Sequence, residues 1–107
     1  MSASVFHVLL ALANGPNHGL GIADDVEAAT EGAVNMGPGT LYRALKQMVQ
    51  TGLIVEVDAP SPDEDARRRH YELTSQGRTA LEAEAQRYER VVATLAERAV
   101  LPGRIGS

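Results

Sequence analysis

Four stretches of the chain repeat apolar residues at the spacing of an α-helix. Residues 3–13 are apolar on nearly every side, which predicts a first helix that is buried on two faces. A second helix is predicted over about 18–30, and a third between the helix-breaking residues 37–39 and 51–52. The fourth is predicted over about 75–98, so helices should dominate the fold.

Between the third and fourth helices the pattern changes to a period of two. Residues 53–58 are rich in β-branched side chains, and residues 69–74 alternate apolar with polar ones, so both are predicted strands. The intervening segment 59–65 has the proline and aspartate content of a loop. Three helices followed by a β-hairpin predict a mainly α fold, the winged helix-turn-helix with a two-stranded wing.

The third predicted helix has one apolar side and one mixed polar side. Its apolar stripe consists of Leu41, Ala44, Leu45 and Met48. Thr40 is expected to cap the helix. The polar side carries cations, a phenol and amides, which can bind phosphate oxygens and base edges. We expect base contacts from Arg43, Lys46 and Gln47, and phosphate contacts from Thr40 and Tyr42. The alternative is an ordinary solvated face.

A run of arginines at the start of the second predicted strand is the other candidate site. Arg67, Arg68 and Arg69 are expected to bind phosphate groups beside the groove. Alternation along a strand sends Arg67 and Arg69 to one face and Arg68 to the other, so all three cannot serve one contact. The alternative is an internal cluster of salt bridges with the acidic residues 63–65.

The fourth predicted helix carries an apolar seam that no other helix in the chain is left to cover. The seam alternates in steps of four and three and consists of Leu81, Ala85, Tyr88, Val92 and Leu95. The first helix adds an apolar face with Val5, Leu9 and Leu12. Both surfaces would be covered in a homodimer. A cleft beside the small Ala85 would then be the place for a small apolar effector.

Composition excludes several classes of function. The 107 residues fit one small domain, and the absence of cysteine removes disulfides and thiolate metal sites. The three histidines fall on three different predicted elements without metal-ligand spacing, so we expect neither a metal nor a cofactor. No glycine-rich phosphate loop or nucleophile motif is present in the sequence, so no enzyme is expected.

Charge and hydropathy refine the picture. A net charge of -4 argues against a non-specific binder of polyanions, but the segments 43–46 and 67–69 are locally basic, which is compatible with DNA. The apolar run 5–13 is too short to span a bilayer and no basic segment precedes it. We therefore expect no membrane association and a cytoplasmic location.

Four motifs, in this order and spacing, resemble the PadR family of transcriptional regulators over roughly residues 5–99. They are Leu9-Leu10-Ala11-Leu12; Gly15-Pro16 with His18-Gly19 and Gly21-Ile22; Gly37-Pro38-Gly39-Thr40-Leu41-Tyr42; and Arg68-Arg69-His70-Tyr71-Glu72-Leu73-Thr74 with Gly77. The resemblance implies a winged-helix dimer that represses transcription and is often released from DNA by a small molecule. The short chain after the wing resembles the subfamily with a single C-terminal dimerisation helix.

These expectations combine into one organisation. Residues 1–74 should form the DNA-binding domain, 75–100 a dimerisation helix, and 101–107 a flexible tail. The expected partner is a pseudo-palindromic operator in double-stranded DNA, bound by a homodimer. A winged-helix module that binds protein without DNA is the alternative, which the acidic pI of 5.3 favours and the basic residues of the third helix and wing disfavour.

Overall fold

The computed structural model describes residues 1–60 and 68–102, which form four helices and one three-stranded antiparallel sheet. In chain order the elements are α1 (Ala3–Ala11), β1 (Asn17–His18), α2 (Gly19–Ala29), α3 (Pro38–Gln50), β2 (Ile54–Val57), β3 (His70–Leu73) and α4 (Ser75–Glu97). The mainly α winged-helix architecture is thus confirmed. Arg67, the acidic loop residues 63–65 and the tail 103–107 lie outside the described residues. None of the described helices is long and apolar enough to cross a membrane.

The sheet has one strand more than the sequence predicts. Its order is β1-β3-β2, so β3 is the central strand. Strands β2 and β3 pair from Ile54 opposite Leu73 to Val57 opposite His70. Strand β1 pairs with the other edge of β3 and has only two residues. The predicted hairpin of β2 and β3 is confirmed, and β1 extends it to a three-stranded sheet. The sequence did not predict β1 because two residues are too few to show a periodic pattern.

One apolar core joins the first three helices, the sheet and the beginning of α4. Its buried members are Val8, Leu9, Leu12, Ile22, Val26, Met36, Leu41, Leu45, Met48, Ile54, Tyr71 and Leu81. The predicted stripe of α3 faces this core. The assignment of Leu9, Leu12 and Leu81 to the dimer interface is wrong, since they are 0, 1 and 7 % exposed. They fill the core of their own chain. An apolar pattern shows which side of a helix is buried, but not whether that side packs within the chain or against a partner.

Thr74 ties the wing, the end of α3 and the start of α4 together. As the N-cap of α4, its hydroxyl accepts a hydrogen bond from the Gly77 amide at 3.0 Å. The same hydroxyl donates to the carbonyl of Gly52 at 2.5 Å, just after α3. The Thr74 amide donates to the Leu53 carbonyl at 3.2 Å. The passage from β3 into α4 is therefore fixed by hydrogen bonds.

Gly77 permits the close approach of α4 to this junction, and we expect Gly77→Ala to destabilise the protein. A Cβ atom at this position would overlap the Leu53 carbonyl oxygen. The expected loss in the free energy of unfolding is about 1–3 kcal/mol, the usual cost of overpacking. Urea unfolding at fixed protein concentration measures it.

Gly39→Ala is the matched control. Gly39 also lies in the first turn of a helix, but no heavy atom lies within 4 Å of an added Cβ. Because alanine favours a helix over glycine, this variant should be as stable as the wild type or gain up to about 1 kcal/mol. Equal losses in the two variants would contradict the close approach at Gly77.

Candidate nucleic-acid interface

Helix α3 begins two residues earlier than its predicted cap. Gly37 is the N-cap and Pro38 the first helical residue, a position that suits proline because its missing N–H would have no partner there. The Leu41 amide donates to the Gly37 carbonyl at 2.9 Å. The predicted cap by Thr40 is wrong, since α3 has no side-chain cap hydrogen bond. Thr40 lies instead in the first turn, exposed to solvent.

Opposite its buried stripe, α3 presents a continuous polar face. The five residues of α3 that are predicted to contact DNA are all exposed on it: Thr40, Tyr42, Arg43, Lys46 and Gln47. At about 100° per residue they cover about 160° of the helix circumference. The helix contains two cations and no carboxylate, whereas the chain as a whole has a net charge of -4. The surface of α3 is therefore cationic within an acidic protein.

Tyr42 connects this face to the beginning of α2. A Cβ atom on Gly19 would lie 3.4 Å from both the hydroxyl oxygen and Cε1 of Tyr42, so the ring lies close to the Gly19 backbone. The tyrosine side chain is nevertheless 56 % exposed. Tyr42 thus packs against α2 with one part of its ring and presents the rest to solvent.

Strand β1 brings the wing to the same side of the molecule. The guanidinium of Arg68 lies 3.4 Å from Nε2 of His18, the residue that caps α2. His70, the first residue of β3, is buried and donates a hydrogen bond from Nδ1 to the Arg68 carbonyl at 2.8 Å, since a carbonyl can only accept. The rings of His18 and His70 meet edge to face, with centroids 5.3 Å apart. Arg68 is therefore positioned beside the first turn of α2.

Arg69 has contacts within the wing. Its Nε atom lies 3.8 Å from the carboxylate of Glu56 on β2, and both side chains are more than half exposed. Its guanidinium also lowers the pKa of Tyr71 in part. The described part of the wing thus contains an internal salt bridge, between Arg69 and Glu56. Because exposed pairs stabilise by roughly 0–1 kcal/mol, this pair does not prevent Arg69 from binding a phosphate.

These side chains surround an open hollow of about 570 Å³ between α2, α3 and the wing, which we call the basic hollow. Its lining residues are His18, Gly19, Leu20, Tyr42, Arg68 and Arg69. Three predicted contact residues, Tyr42, Arg68 and Arg69, meet here, while Arg43, Lys46 and Gln47 lie elsewhere along the face of α3. The sequence did not identify His18 and Leu20, because only the non-local pairing of β1 with β3 brings them to the arginines.

The predicted dimer surface lies on α1 and α4, away from the basic hollow. Ala85, Tyr88 and Val92 are exposed, and Val5 and Leu95 are partly buried. The sequence did not identify Phe6 on this surface, although its ring stacks on that of Tyr88 with centroids 4.5 Å apart. Next to this stack, Arg87 binds Glu84 at 2.9 Å and holds the pKa of that carboxyl below its usual range.

Comparison with known proteins adds a family and a set of similar folds. The model of the transcriptional regulator PadR-like family matches residues 8–83. An uncharacterized 37.1 kDa protein of a Streptomyces fradiae transposon, TN4556, is 37 % identical over 93 residues, which are 87 % of this chain and 25 % of that protein. The chain thus spans about a quarter of that relative's length.

Two solved structures illustrate the similarity of fold. A PadR family transcription regulator from Clostridium difficile has a TM-score of 0.75 and 22 % identity, with 92 % of this chain and 99 % of that chain covered. Bacillus subtilis PadR in complex with operator DNA has a TM-score of 0.67 and 18 % identity, with 78 % of this chain and 47 % of that chain covered.

Tyr71 is a buried residue of strand β3 in the wing, and we expect it to make the stability of the protein depend on pH. Burial raises the pKa of Tyr71 above its ordinary value of 10.0, and the Glu56 carboxylate raises it further, while Arg69 lowers it in part. Because the unfolded chain loses the Tyr71 proton more readily than the folded protein does, Tyr71 lowers the free energy of unfolding at high pH. Its contribution to stability is complete below about pH 10 and is lost as the pH rises towards the pKa of the folded state. The unfolding free energy of Tyr71→Phe should therefore fall less steeply than that of the wild type between about pH 9 and about pH 11. Parallel curves in urea unfolding would contradict this assignment.

Proposed function

The chain belongs to the PadR-like family of transcriptional regulators, and on that premise we propose that it is a homodimeric repressor of a pseudo-palindromic operator in double-stranded DNA. The observation that carries the proposal is the meeting of the cationic face of α3 with the wing arginines around one basic hollow. A similar fold has been solved with operator DNA. As a DNA-binding regulator, the protein would act in the cytoplasm, and the proposal includes no catalytic activity.

In this proposal α3 enters the major groove, whose width of about 12 Å admits a helix. Arg43, Lys46 and Gln47 contact base edges from the exposed face. Thr40 and Tyr42 contact phosphate groups nearer the beginning of the helix, where the backbone N–H groups also favour anions. The wing places Arg68 and Arg69 on the adjacent backbone, and Arg67 is proposed to join them.

We infer the second copy from the apolar surface of α1 and α4. Tyr88, Val91 and Val92 on α4 are 37, 44 and 46 % exposed, as is Leu10 on α1 at 43 %. Nδ1 of His7, also on α1, is buried without a hydrogen-bond partner among the described residues. A partner helix laid on this surface would remove these exposed apolar side chains from water.

Repression follows if the dimer occupies its operator and excludes other proteins from it. Two α3 helices on one face of DNA read half-sites about 34–36 Å apart. A small effector would bind along α4, where a hollow of about 360 Å³ is lined by Arg87, Arg90, Val91, Thr94, Leu95, Arg98 and Val100. Its apolar walls and guanidinium groups suit an apolar molecule with a negative charge. Binding there would change the relative orientation of the two copies.

The first test is salt-dependent binding to DNA selected from a random pool. Arg43→Ala should cost about 1–3 kcal/mol on the selected site and relax the preference there, because Arg43 contacts a base. Arg68→Ala should weaken binding to selected and scrambled DNA alike, and the slope of log K against log salt should become shallower by about 0.9 per lost phosphate contact. Fluorescence anisotropy titrations at several salt concentrations measure both quantities.

Arg78→Ala is the matched control, since it removes the same charge from a residue that binds the Ala13 carbonyl and does not line the basic hollow. It should leave the specificity and the salt slope close to those of the wild type. Equal affinity of the wild type for selected and scrambled DNA would contradict the proposal. It would favour the alternative of a winged-helix module that binds protein.

The second test concerns the dimer. Val92→Glu combined with Leu95→Glu should produce monomer, because the dimer would bury two unpaired charges from each copy. Affinity for the inverted repeat should fall strongly, since each half-site alone binds weakly. Gln86→Glu combined with Ala93→Glu adds the same charge on a different side of α4 and should leave a dimer. Sedimentation equilibrium gives the masses, and a dimeric Val92/Leu95 variant would contradict the role proposed for α4.

A further inference from the structure

Leu20 is a large apolar side chain in a surface otherwise built from polar and cationic groups. It is the second residue of α2 and is 55 % exposed, so the core does not account for its presence. It lines the basic hollow together with Tyr42 and Arg68. A surface that binds only phosphate needs hydrogen-bond donors, and leucine has none.

We propose that Leu20 and Tyr42 form an apolar seat for one deoxyribose of the DNA backbone, while Arg68 binds the adjoining phosphate. This inference rests on the proposed DNA-binding function and deepens it. A nucleic-acid strand alternates an anionic group with a sugar whose edge is largely C–H. The basic hollow offers the same alternation, with a guanidinium beside the leucine and the face of a phenol.

The position of Tyr42 supports this arrangement. Its ring lies close to the backbone of Gly19, so the tyrosine is held beside the first turn of α2, from which Leu20 projects. More than half of each side chain remains exposed, and this is the area available to a sugar. The volume of about 570 Å³ falls within the range of roughly 300–1,000 Å³ typical of small-ligand pockets, which is ample for one sugar and one phosphate.

Loss of the apolar contact of Leu20 should affect DNA binding differently from loss of a charged contact. Leu20→Ser should weaken binding roughly fivefold per half-site, and so roughly 25-fold for a dimer, because about half of a leucine side chain would lose its buried contact. The loss should be equal on selected and scrambled DNA, since every nucleotide carries the same sugar. The slope of log K against log salt should stay at the wild-type value, because no charge is lost.

Leu20→Met is the matched control. It keeps an apolar side chain of similar size and should retain affinity within about twofold. Both substitutions lie at an exposed position in the first turn of α2, where serine is tolerated, and their thermal unfolding should match that of the wild type. A loss of affinity in Leu20→Ser with normal unfolding thus reports the interface itself.

Three outcomes would overturn the seat for a sugar. Unchanged affinity in Leu20→Ser would show that Leu20 makes no contact. A shallower salt slope, like that of Arg68→Ala, would show that the substitution acts through the phosphate contact. The third outcome is that the substitution weakens binding to selected DNA alone. If the affinity difference between the wild type and Leu20→Ser then disappears when uracil replaces thymine in that DNA, Leu20 contacts a thymine methyl group and not a sugar. Failure of the wild type itself to bind DNA is a separate result, which would contradict the proposed function as a whole.

Discussion

The pairing of β1 with the central strand β3 is the contact on which the proposed interface depends. It joins the residue that caps α2, His18, to the strand that leads out of the wing arginines. Besides the shared apolar core, this edge is the hydrogen-bonded link between the hairpin of β2 and β3 and the start of α2, and it holds Arg68 and Tyr42 around one hollow. Two paired residues are weak alone, because even an isolated hairpin is marginal in water. His70 and Tyr71 of β3 are buried, and their burial helps to stabilise the pairing.

Periodicity predicted the helices well because each one buries a stripe against a single core. Leu41, Leu45 and Met48 recur at helical spacing, and the exposed side of α3 followed from them. The pattern does not indicate whether an apolar side chain is buried within its own chain or against a second copy. Leu9 and Leu12 were therefore assigned to a second copy, although α1 buries them in its own chain.

The remaining differences come from short or non-local features. Strand β1 has two residues, which leave no periodic signal, and its pairing with β3 spans about 50 residues of chain. The start of α3 is set by Pro38 after Gly37, while the hydroxyl of Thr40 suggested a later start. His18 and Leu20 join the candidate site only through such contacts. Local patterns thus predicted the four helices, the β2–β3 hairpin and the exposed side of α3, but not how the basic hollow is assembled.

The junction at Thr74 determines how movement can pass through the molecule. The predicted boundary between residues 74 and 75 falls among hydrogen bonds that join α4 to the end of α3, and no spacer separates β3 from α4. Helix α4 has 23 residues and is therefore about 35 Å long. Because these hydrogen bonds fix its first turn to the end of α3, a tilt of about 5° at the junction would move the far end of α4 by about 3 Å. A displacement of the far end of α4 would therefore reach the end of α3 through the hydrogen bonds of Thr74.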